Sequence, residues 1–324
     1  MGDTKKKALI CGVGGQDGAL LAKLLLDKGY EVWGTSRDAG GASFVNLIRV
    51  GILERVHTIS MSPEDFRSVF MALRKCKPDE VYFLAGQTSV GLSFELPAET
   101  IQSITVGTLN ILEACRTAEK PFKLFHAGSS ECFGNTNGIA ANEQTPFQPR
   151  SPYAVAKAAA IWLVDNYREA YGIFACSGIL FNHESALRPK RFVTQKIVSA
   201  VQDIAAGNSD RLFLGNIDIS RDWGWAPEYV EAMWLMLQQK TPENFVIATG
   251  ETNSLENFVE LAFKKAGLDW KDHVEFNDAL GRPSDIQISC ADPSKAAEKL
   301  GWSAKNRMQD VITEMLGANS SAKK

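Results

Sequence analysis

Short, continuous apolar runs alternate along the first part of the chain with longer segments whose apolar residues recur every three or four positions. The runs predict buried strands, and the longer segments predict helices that pack on a sheet. Strands are predicted at residues 8–13, 31–36, 56–60, 80–85, 122–127 and 174–181, and helices at 20–28, 63–75, 97–117 and from 151 onward. Repeated strand–helix units of this length predict the α/β class, as a Rossmann-like doubly wound parallel sheet with helices on both faces.

Beyond residue 181 the alternation loosens and predicts a smaller C-terminal α/β substrate domain. Helices are predicted there at 192–206, 227–239, 255–266 and 293–300, and strands at 212–215 and 245–250. We expect the second of these strands to return to the main sheet or near it. The predicted domains are a dinucleotide-binding domain over 1–181 with return segments near 212–250, a mostly substrate-binding domain over 182–317, and a frayed tail over 318–324.

Composition narrows the functional classes. Of the 324 residues, 45% are hydrophobic and 23% are charged, and the formal net charge of −3 argues against a general attraction to nucleic acid. Because no run approaches the ~20 apolar residues of a membrane span, we expect no membrane partner and a cytoplasmic protein. The six cysteines form no Cys-x-x-Cys pair and the four histidines show no metal-ligand spacing, so we expect reduced, buried thiols and no metal.

A glycine-rich turn joins the first predicted strand to the first predicted helix. Gly12, Gly15 and Gly18 would let backbone N–H groups approach a pyrophosphate, and the N-terminus of the following helix favours negative charge. Gln16 and Asp17 lie within this turn. A plain tight turn is the alternative, but the flanking strand and helix favour a dinucleotide cofactor.

The end of the second predicted strand bears on the form of that cofactor. Ser36 stands where an acidic residue commonly binds the ribose 2′-hydroxyl, and the guanidinium of Arg37 could pair with a 2′-phosphate. This arrangement favours NADP, with NAD as the alternative. Asp38 weakens the preference, and a solvated surface arginine would give the same pattern.

Candidate side chains for catalysis follow the fifth predicted strand and open the long helix. Tyr153 and Lys157 are four residues apart and share one helix face. The Lys157 ammonium and a positively charged nicotinamide would lower the pKa of Tyr153 from its ordinary value of about 10 and make it a usable base. Ser129 could hydrogen-bond the same substrate hydroxyl, which suits hydride transfer from a secondary alcohol.

Glu131 adds a carboxylate that simple alcohol oxidation does not require. Elimination of water from a sugar does require one, because a base must remove the C5 proton and an acid must protonate the departing C6 hydroxyl. A helix-capping or surface glutamate is the alternative. Ligands of doubly wound sheets bind beyond the C-terminal strand ends. The candidate positions there include Ala85, Gln87, Ser129, Glu131, Asn182 and His183.

With these residues placed, the chain resembles the extended short-chain dehydrogenase/reductases, and within them the GDP-mannose 4,6-dehydratase family. The most specific segments are residues 12–18, 149–157, 179–185, 192–194, 221–224, 229–237, 245–251 and 282–283. The resemblance implies conversion of GDP-mannose to GDP-4-keto-6-deoxy-mannose by internal hydride transfer and water elimination, with no net redox change. It also implies a homo-oligomer, either a dimer or a tetramer.

The residues and the resemblance together predict a full set of contacts. The predicted catalytic residues are Ser129, Glu131, Tyr153 and Lys157. The predicted cofactor contacts are Gly12, Gly15, Gln16, Asp17, Gly18, Arg37, Ala85, Gln87, Tyr153, Lys157, His183 and Arg188. The predicted contacts to the nucleotide sugar are Ser89, Asn182, Val193, Lys196, Arg221 and Arg282.

Departures from the family keep other interpretations open. Asp38 replaces an arginine, residues 39–42 replace a polar loop that helps to form a tetramer, and residues 59–61 remove an adenine contact. A dehydratase that acts on another GDP-sugar, such as a GDP-heptose, is therefore a second interpretation. A nucleotide-sugar reductase or epimerase of the same fold is a third, and a non-catalytic NADP-binding protein is a fourth.

Overall fold

The apolar runs form a seven-stranded sheet in the computed structural model, which describes residues 5–281 and 283–321. Across the sheet the strands, numbered in chain order, are β10 (Phe245–Ile247), β6 (Ala175–Leu180), β5 (Lys123–Ala127), β4 (Glu80–Phe83), β1 (Lys7–Cys11), β2 (Glu31–Ser36) and β3 (His57–Ser60). Each neighbouring pair is parallel. The predicted Rossmann-like fold class is confirmed.

Helices cover both faces of this sheet. In chain order they are α1 (Gln16–Asp27), α2 (Val45–Arg49), α3 (Phe66–Cys76), α4 (Val90–Glu95), α5 (Pro97–Ile101), α6 (Gly107–Arg116), α7 (Pro152–Tyr171) and α9 (Ala226–Gln238). Ala8 and Ile10 pack into a core with α1 and α9, whereas Leu9 and Cys11 pack with α3, α6 and α7. Alternate residues of a strand point to opposite faces, so the continuous apolar runs are explained by burial on both sides.

The predicted helix over 97–117 contains a π-helical turn at Gln102–Val106, between α5 and α6. The backbone stays helical on both sides of it, so the turn adds one residue to the helix rather than ending it. Thr105 Oγ1 in this turn donates a hydrogen bond to Ala156 O of α7 at 3.1 Å. The π turn therefore sits against the helix that carries Tyr153 and Lys157.

A smaller α/β unit follows β6. It contains a three-stranded sheet of β7 (Asn182–Glu184), β9 (Ser220–Trp225) and β11 (Thr252–Ser254), and a pair formed by β8 (Leu212–Leu214) and β12 (Val274–Phe276). Its helices are α8 (Val193–Ala205), α10 (Leu255–Lys265) and α12 (Met308–Ser321), whereas α11 (Ser294–Leu300) packs on β10 and α9 of the main sheet. The helices α8, α10 and α12 share one apolar core. The sequence pattern did not predict α2, α4, α12, β7, β9, β11 or β12.

The chain returns to the main sheet through α9 and β10. Helix α9 packs on α1, and β10 pairs with β6 at the edge of the sheet. The region 212–225 instead supplies β8 and β9 to the smaller sheets. Helix α12 extends to Ser321, so residues 318–321 of the predicted tail are helical in their backbone. The domain limits themselves stay predictions.

The cysteines, the length and polarity of the helices, and the placement of possible metal ligands were also subjects of sequence expectations. All six cysteines are free, and five of them are buried. Across residues 5–281 and 283–321, no helix is long and apolar enough to cross a membrane. In the same part of the chain, no group of three or more His, Cys, Asp or Glu side chains is placed to hold a metal ion.

Candidate active site

The predicted motifs meet at one edge of the main sheet. The glycine turn follows β1, Ala85 and Gln87 follow β4, Ser129 follows β5, and Asn182 follows β6. These four strands are neighbours in the order β6-β5-β4-β1 and run parallel, so their carboxyl ends lie side by side. The structure thus places these predicted motifs side by side at one edge of the sheet.

The glycine turn leaves room for a ligand to approach the backbone. Gly12 has φ +89°, and a Cβ there would lie 3.2 Å from the backbone of Ala85. A Cβ at Gly18 would lie 2.7 Å from Cα of Val13, so only glycine allows α1 to begin this close to β1. Gly15 is the N-cap of α1 and has no side chain over the helix end. This cradle fits the pyrophosphate of a dinucleotide.

Gln16 and Asp17 face the smaller unit rather than solvent. Gln16 Nε2 donates to His183 O at 3.1 Å, and Gln16 Oε1 accepts from Ser185 Oγ at 2.9 Å. His183 Nε2 lies 3.0 Å from Asp17 Oδ2, and His183 Nδ1 lies 2.7 Å from Phe181 O. Because both partners of the imidazole are acceptors, both ring nitrogens carry protons. His183 is therefore an imidazolium paired with a carboxylate.

The pKa values agree with that ion pair. Burial raises the pKa of Asp17, but the charge and hydrogen bond of His183, together with the charge of Arg188, outweigh it and lower the pKa to about 2. Burial lowers the pKa of His183, but Asp17 outweighs it and the net shift is upward. Arg188 Nε also lies 3.0 Å from Glu184 Oε2. The predicted cofactor residues Asp17, His183 and Arg188 thus form one charged cluster.

Tyr153 and Lys157 occupy the first two turns of α7. Ser151 caps the helix by accepting from Ala154 N at 3.1 Å. Lys157 Nζ lies 5.9 Å from the centroid of the Tyr153 ring and donates to Ala127 O at 2.6 Å. The structure therefore brings these two side chains together on one face, as the four-residue spacing predicted.

Burial controls the titration of this pair. It lowers the pKa of Lys157 to about 8 and raises the pKa of Tyr153 above its ordinary value, although a hydrogen bond with Ser129 opposes the second shift. In this structure Lys157 therefore does not lower the pKa of Tyr153, contrary to the prediction. Lys157 directs its donor at a backbone carbonyl of β5 instead of at the phenol.

Ser129 and Glu131 enter the site from the 3₁₀ turn at Ser130–Phe133, which follows β5. Ser129 is buried, and its Oγ accepts from Glu131 N at 3.3 Å. Glu131 is half-buried, and its charge raises the pKa of Tyr153, which indicates that the carboxylate lies near the phenol. The hydroxyl, the carboxylate and the phenol therefore belong to one cluster.

Gln87 and Ser89 stabilise the loop after β4. Gln87 Nε2 donates to Ser89 O at 2.7 Å and to Thr100 Oγ1 at 3.3 Å, and Gln87 N donates to Ser103 Oγ at 3.3 Å. Ser89 Oγ caps α4 by accepting from Leu92 N. Both side chains thus make bonds that shape the loop between the glycine turn and α7.

Apart from Ser89, which follows β4, the described residues predicted to contact the nucleotide sugar lie on the smaller unit. Asn182 begins β7 and Val193 begins α8, while Lys196 Nζ donates to Phe213 O at 2.6 Å. Arg221 is only 4% exposed, and its Nη2 lies 3.2 Å from Asp285 Oδ1. Arg282 lies outside the described residues.

Arg37 is not part of the central cluster. Its side chain is 74% exposed at the end of β2, and its Nη1 lies 3.8 Å from Glu99 Oε1. Arg37 could contact the adenosine end of a dinucleotide but not its nicotinamide end, because it follows β2, one strand beyond β1.

Two buried side chains in the site were not predicted. Asp222 accepts from Thr249 N at 3.0 Å and from Gly250 N at 2.7 Å, and burial raises its pKa to about 6. The ring of Tyr229 stacks on His183 with centroids 4.6 Å apart. The sequence signal that could have identified Asp222 is an acidic residue directly after Arg221. Tyr229 gave no signal for its stacking, because its partner His183 is distant in sequence.

Comparison with solved structures defines the class of protein. The crystal structure of a UDP-glucose 4-epimerase from Thermus thermophilus, solved with NAD, superposes with a TM-score of 0.85 at 26% identity, covering 98% of this chain and 99% of that one. The fold is that of the extended short-chain dehydrogenase/reductases.

Sequence comparison narrows the class to a family. The family described as GDP-mannose 4,6 dehydratase matches residues 9–315, and the chain belongs to it. The chain is 45% identical to GDP-mannose 4,6 dehydratase 1 of Arabidopsis thaliana, over 96% of this chain and 89% of that protein. It is 43% identical to GDP-mannose 4,6-dehydratase of Vibrio cholerae, over 96% and 93%. The family resemblance predicted from the sequence is confirmed.

Proposed function

We propose that this chain is a GDP-sugar 4,6-dehydratase that converts GDP-mannose to GDP-4-keto-6-deoxy-mannose. The observation that carries the proposal is the carboxylate of Glu131, two residues after Ser129 and close enough to Tyr153 for its charge to raise the pKa of the phenol, on the site that also holds Lys157. A reductase or epimerase needs the last three groups but not this carboxylate. The names of the relatives at 43–45% identity support the same substrate.

The glycine cradle and the charged cluster would hold a nicotinamide dinucleotide. Such a cofactor supplies a hydride acceptor that oxidises C4 of the sugar and later returns the hydride to C6, so no net redox change results. Gly12, Gly15 and Gly18 would contact the pyrophosphate. Arg37 would contact a 2′-phosphate, which supports NADP, while the NAD bound to the epimerase from Thermus supports NAD as the alternative.

Tyr153 would take the proton of the C4 hydroxyl. Ser129 can orient that hydroxyl, because its Oγ already bonds the Tyr153 phenol. Lys157 lies one helical turn away, and with its pKa lowered to about 8 it can still carry a proton near neutral pH. The cluster would thus bind, orient and deprotonate a secondary alcohol.

Glu131 would act after C4 becomes a ketone, when the C5 proton is acidic. Its carboxylate would remove that proton and then protonate the C6 hydroxyl as it leaves as water. The proton balance of the elimination closes, because Glu131 first accepts and then donates the same proton. Return of the hydride to C6 would require one further proton at C5, and the proton that Tyr153 took from the C4 hydroxyl would balance it. The half-buried position of Glu131 gives it access to a substrate while keeping it near Tyr153.

Arg221 and Lys196 support recognition of a nucleotide diphosphate. Both belong to the smaller unit, Lys196 on α8 and Arg221 on β9. Arginine matches phosphate oxygens with two parallel hydrogen bonds. Because Asp38 and residues 39–42 depart from the family pattern, another GDP-sugar is a second candidate substrate.

We also propose that the protein is a homo-oligomer. Val155 and Trp162 lie seven residues apart on one face of α7, and Trp162 is 58% exposed. Ile101 and Val106 are exposed on the neighbouring 97–116 segment, which packs beside α7. An apolar face of this kind supports a second copy of the chain as its partner. The cytoplasmic location stays a prediction.

Mass spectrometry of the purified protein with GDP-mannose and a catalytic amount of NADP⁺ or NAD⁺ tests the function. We expect a product lighter by one water, without accumulation of reduced cofactor. A product oxidised or reduced in proportion to the cofactor would instead favour the reductase, and an epimer of unchanged mass would favour the epimerase. No reaction with GDP-mannose but loss of water from another GDP-sugar would change the substrate and keep the chemistry.

A further inference from the structure

The adenosine end of the cofactor site contains a pair of opposite charges that the proposed reaction does not use. Arg37 follows β2, while Glu99 lies in the first turn of α5, a separate segment of the chain. Their nearest charged atoms are 3.8 Å apart, and the side chains are 74% and 54% exposed. Because exposed ion pairs contribute little to folding stability, this pair matters more for a charged ligand than for the fold.

A cavity lined by Ser36, the residue before Arg37, is where the adenosine ribose would lie. It has a volume of about 450 Å³ and is lined by Gly14 of the glycine turn, by Ser36 at the end of β2, and by residues 41–46. Asn46 Nδ2 holds this wall by donating to Gly14 O at 3.0 Å. In this fold the residues that follow the second strand meet the ribose 2′ position. A 2′-phosphate would therefore lie beside Arg37.

Carboxylates crowd that position. Asp38 Oδ1 accepts from Gly40 N at 3.0 Å and from Gly41 N at 3.1 Å, so its charge is held in the loop beside Arg37. Glu99 approaches the same guanidinium from α5. A 2′-phosphate carries roughly two negative charges and would have to displace Glu99 from Arg37, whereas an uncharged 2′-hydroxyl would not.

We propose that Glu99 is a specificity-determining residue that competes with the 2′-phosphate for Arg37 and so weakens the preference of this site for NADP over NAD. This inference rests on the proposed function only in that the site binds a nicotinamide dinucleotide. The role of Glu99 depends on its pairing with Arg37. The two residues lie in separate segments, so neither segment alone would reveal that role.

Calorimetric titration of the full chain with NADP⁺ and with NAD⁺ tests the proposal by binding and needs no turnover. In Glu99→Gln we expect the Kd for NADP⁺ to fall roughly five- to tenfold and the Kd for NAD⁺ to change by less than about twofold. The gain should shrink at high salt, because the Debye length falls from about 10 Å at 0.1 M to about 3 Å at 1 M and exposed charges are then screened at shorter range. Glu95→Gln is the matched control, since Glu95 is an exposed acid of α4 and loses the same charge.

Arg37→Ala completes the test. We expect this variant to bind NADP⁺ more weakly with little change for NAD⁺, and Glu99→Gln should add less than about twofold in its background, because the competed group is gone. An unchanged ratio of the two Kd values in Glu99→Gln, or an equal change in Glu95→Gln, would overturn the role of Glu99 alone. Binding of neither dinucleotide by the wild type would overturn the proposed function as well.

Discussion

At the scale of single residues, burial sets the chemistry of the site. It lowers the pKa of Lys157 to about 8 and raises the pKa of Tyr153, so the two groups do not form a phenolate–ammonium pair by themselves. The hydrogen bond with Ser129 and, to a smaller extent, the charge of Arg188 favour the charged phenol. Proton removal at C4 therefore depends on contacts that Tyr153 gains when substrate and cofactor bind.

Replacing Glu131 tests the assignment of water elimination. Glu131→Gln keeps the shape of the side chain but removes the proton acceptor, so we expect the rate of product formation to fall by about 10²–10⁴-fold. Binding of the cofactor, measured by titration, should be unchanged. Glu119→Gln, which changes an exposed acid, should retain full activity. Full activity of Glu131→Gln would remove the residue from the mechanism.

Residues whose role depends on spacing along the chain could be predicted, and residues whose role depends on distant neighbours could not. Tyr153 and Lys157 were found because four residues make one helical turn. Asp222 acts on Thr249 and Gly250, and Tyr229 stacks on His183, so both roles arise only once β9 and α9 are placed. Periodicity does not contain that information.

At the scale of elements, hydrogen bonds and an ion pair join the start of α1 to β7. The Gln16 and Asp17 side chains bond His183 and Ser185, so the helix that follows the glycine cradle is attached to the smaller unit. The strands and helices of the main sheet were predicted because their apolar runs are long and buried on both sides. Of the strands of the smaller unit only β8 was predicted, and three of the four that were missed contain only three residues.

The Asp17–His183 pair predicts how stability depends on pH. The folded pKa of Asp17 is about 2, below its ordinary value of 3.8, so its contribution is present above about pH 4 and is lost as the pH falls towards 2. The folded pKa of His183 is raised above 6.5, so its contribution is complete below pH 6.5 and is lost as the pH rises through the folded value. The pair therefore stabilises most between about pH 4 and 6.5.

Asp17→Asn should remove both the loss of stability below about pH 4 and the loss as the pH rises through the folded pKa of His183. We expect a loss of about 2 kcal/mol in the free energy of unfolding near pH 5, measured by urea denaturation, and a smaller loss at pH 2. Asp27→Asn is a suitable control, because Asp27 is an exposed partner of Lys23 on the same helix and should change stability little. A loss from Asp17→Asn that is equal at every pH would show that the pair acts by packing rather than by charge.

At the scale of the whole molecule, the fold class followed from the repeated strand–helix units, but the return of the chain to the sheet was only partly predicted. The strand over 245–250 was expected near the sheet, and β10 does pair with β6. The region 212–225 was expected with it and instead builds the smaller sheets. Short segments carry too few residues for their pattern to select one sheet over another.

The exposed apolar face of α7 makes the assembly testable. Trp162→Glu places a charge in the centre of that face, so a dimer that buries it should dissociate, and light scattering should show a mass near the 35.5 kDa of one chain. Tyr171→Glu is the matched control: Tyr171 is also an exposed aromatic residue of α7, but nine residues from Trp162 place it on the opposite side of the helix. The control should keep the mass of the wild type. An unchanged mass in Trp162→Glu, or a wild-type mass of one chain, would show that this face is not an interface between copies.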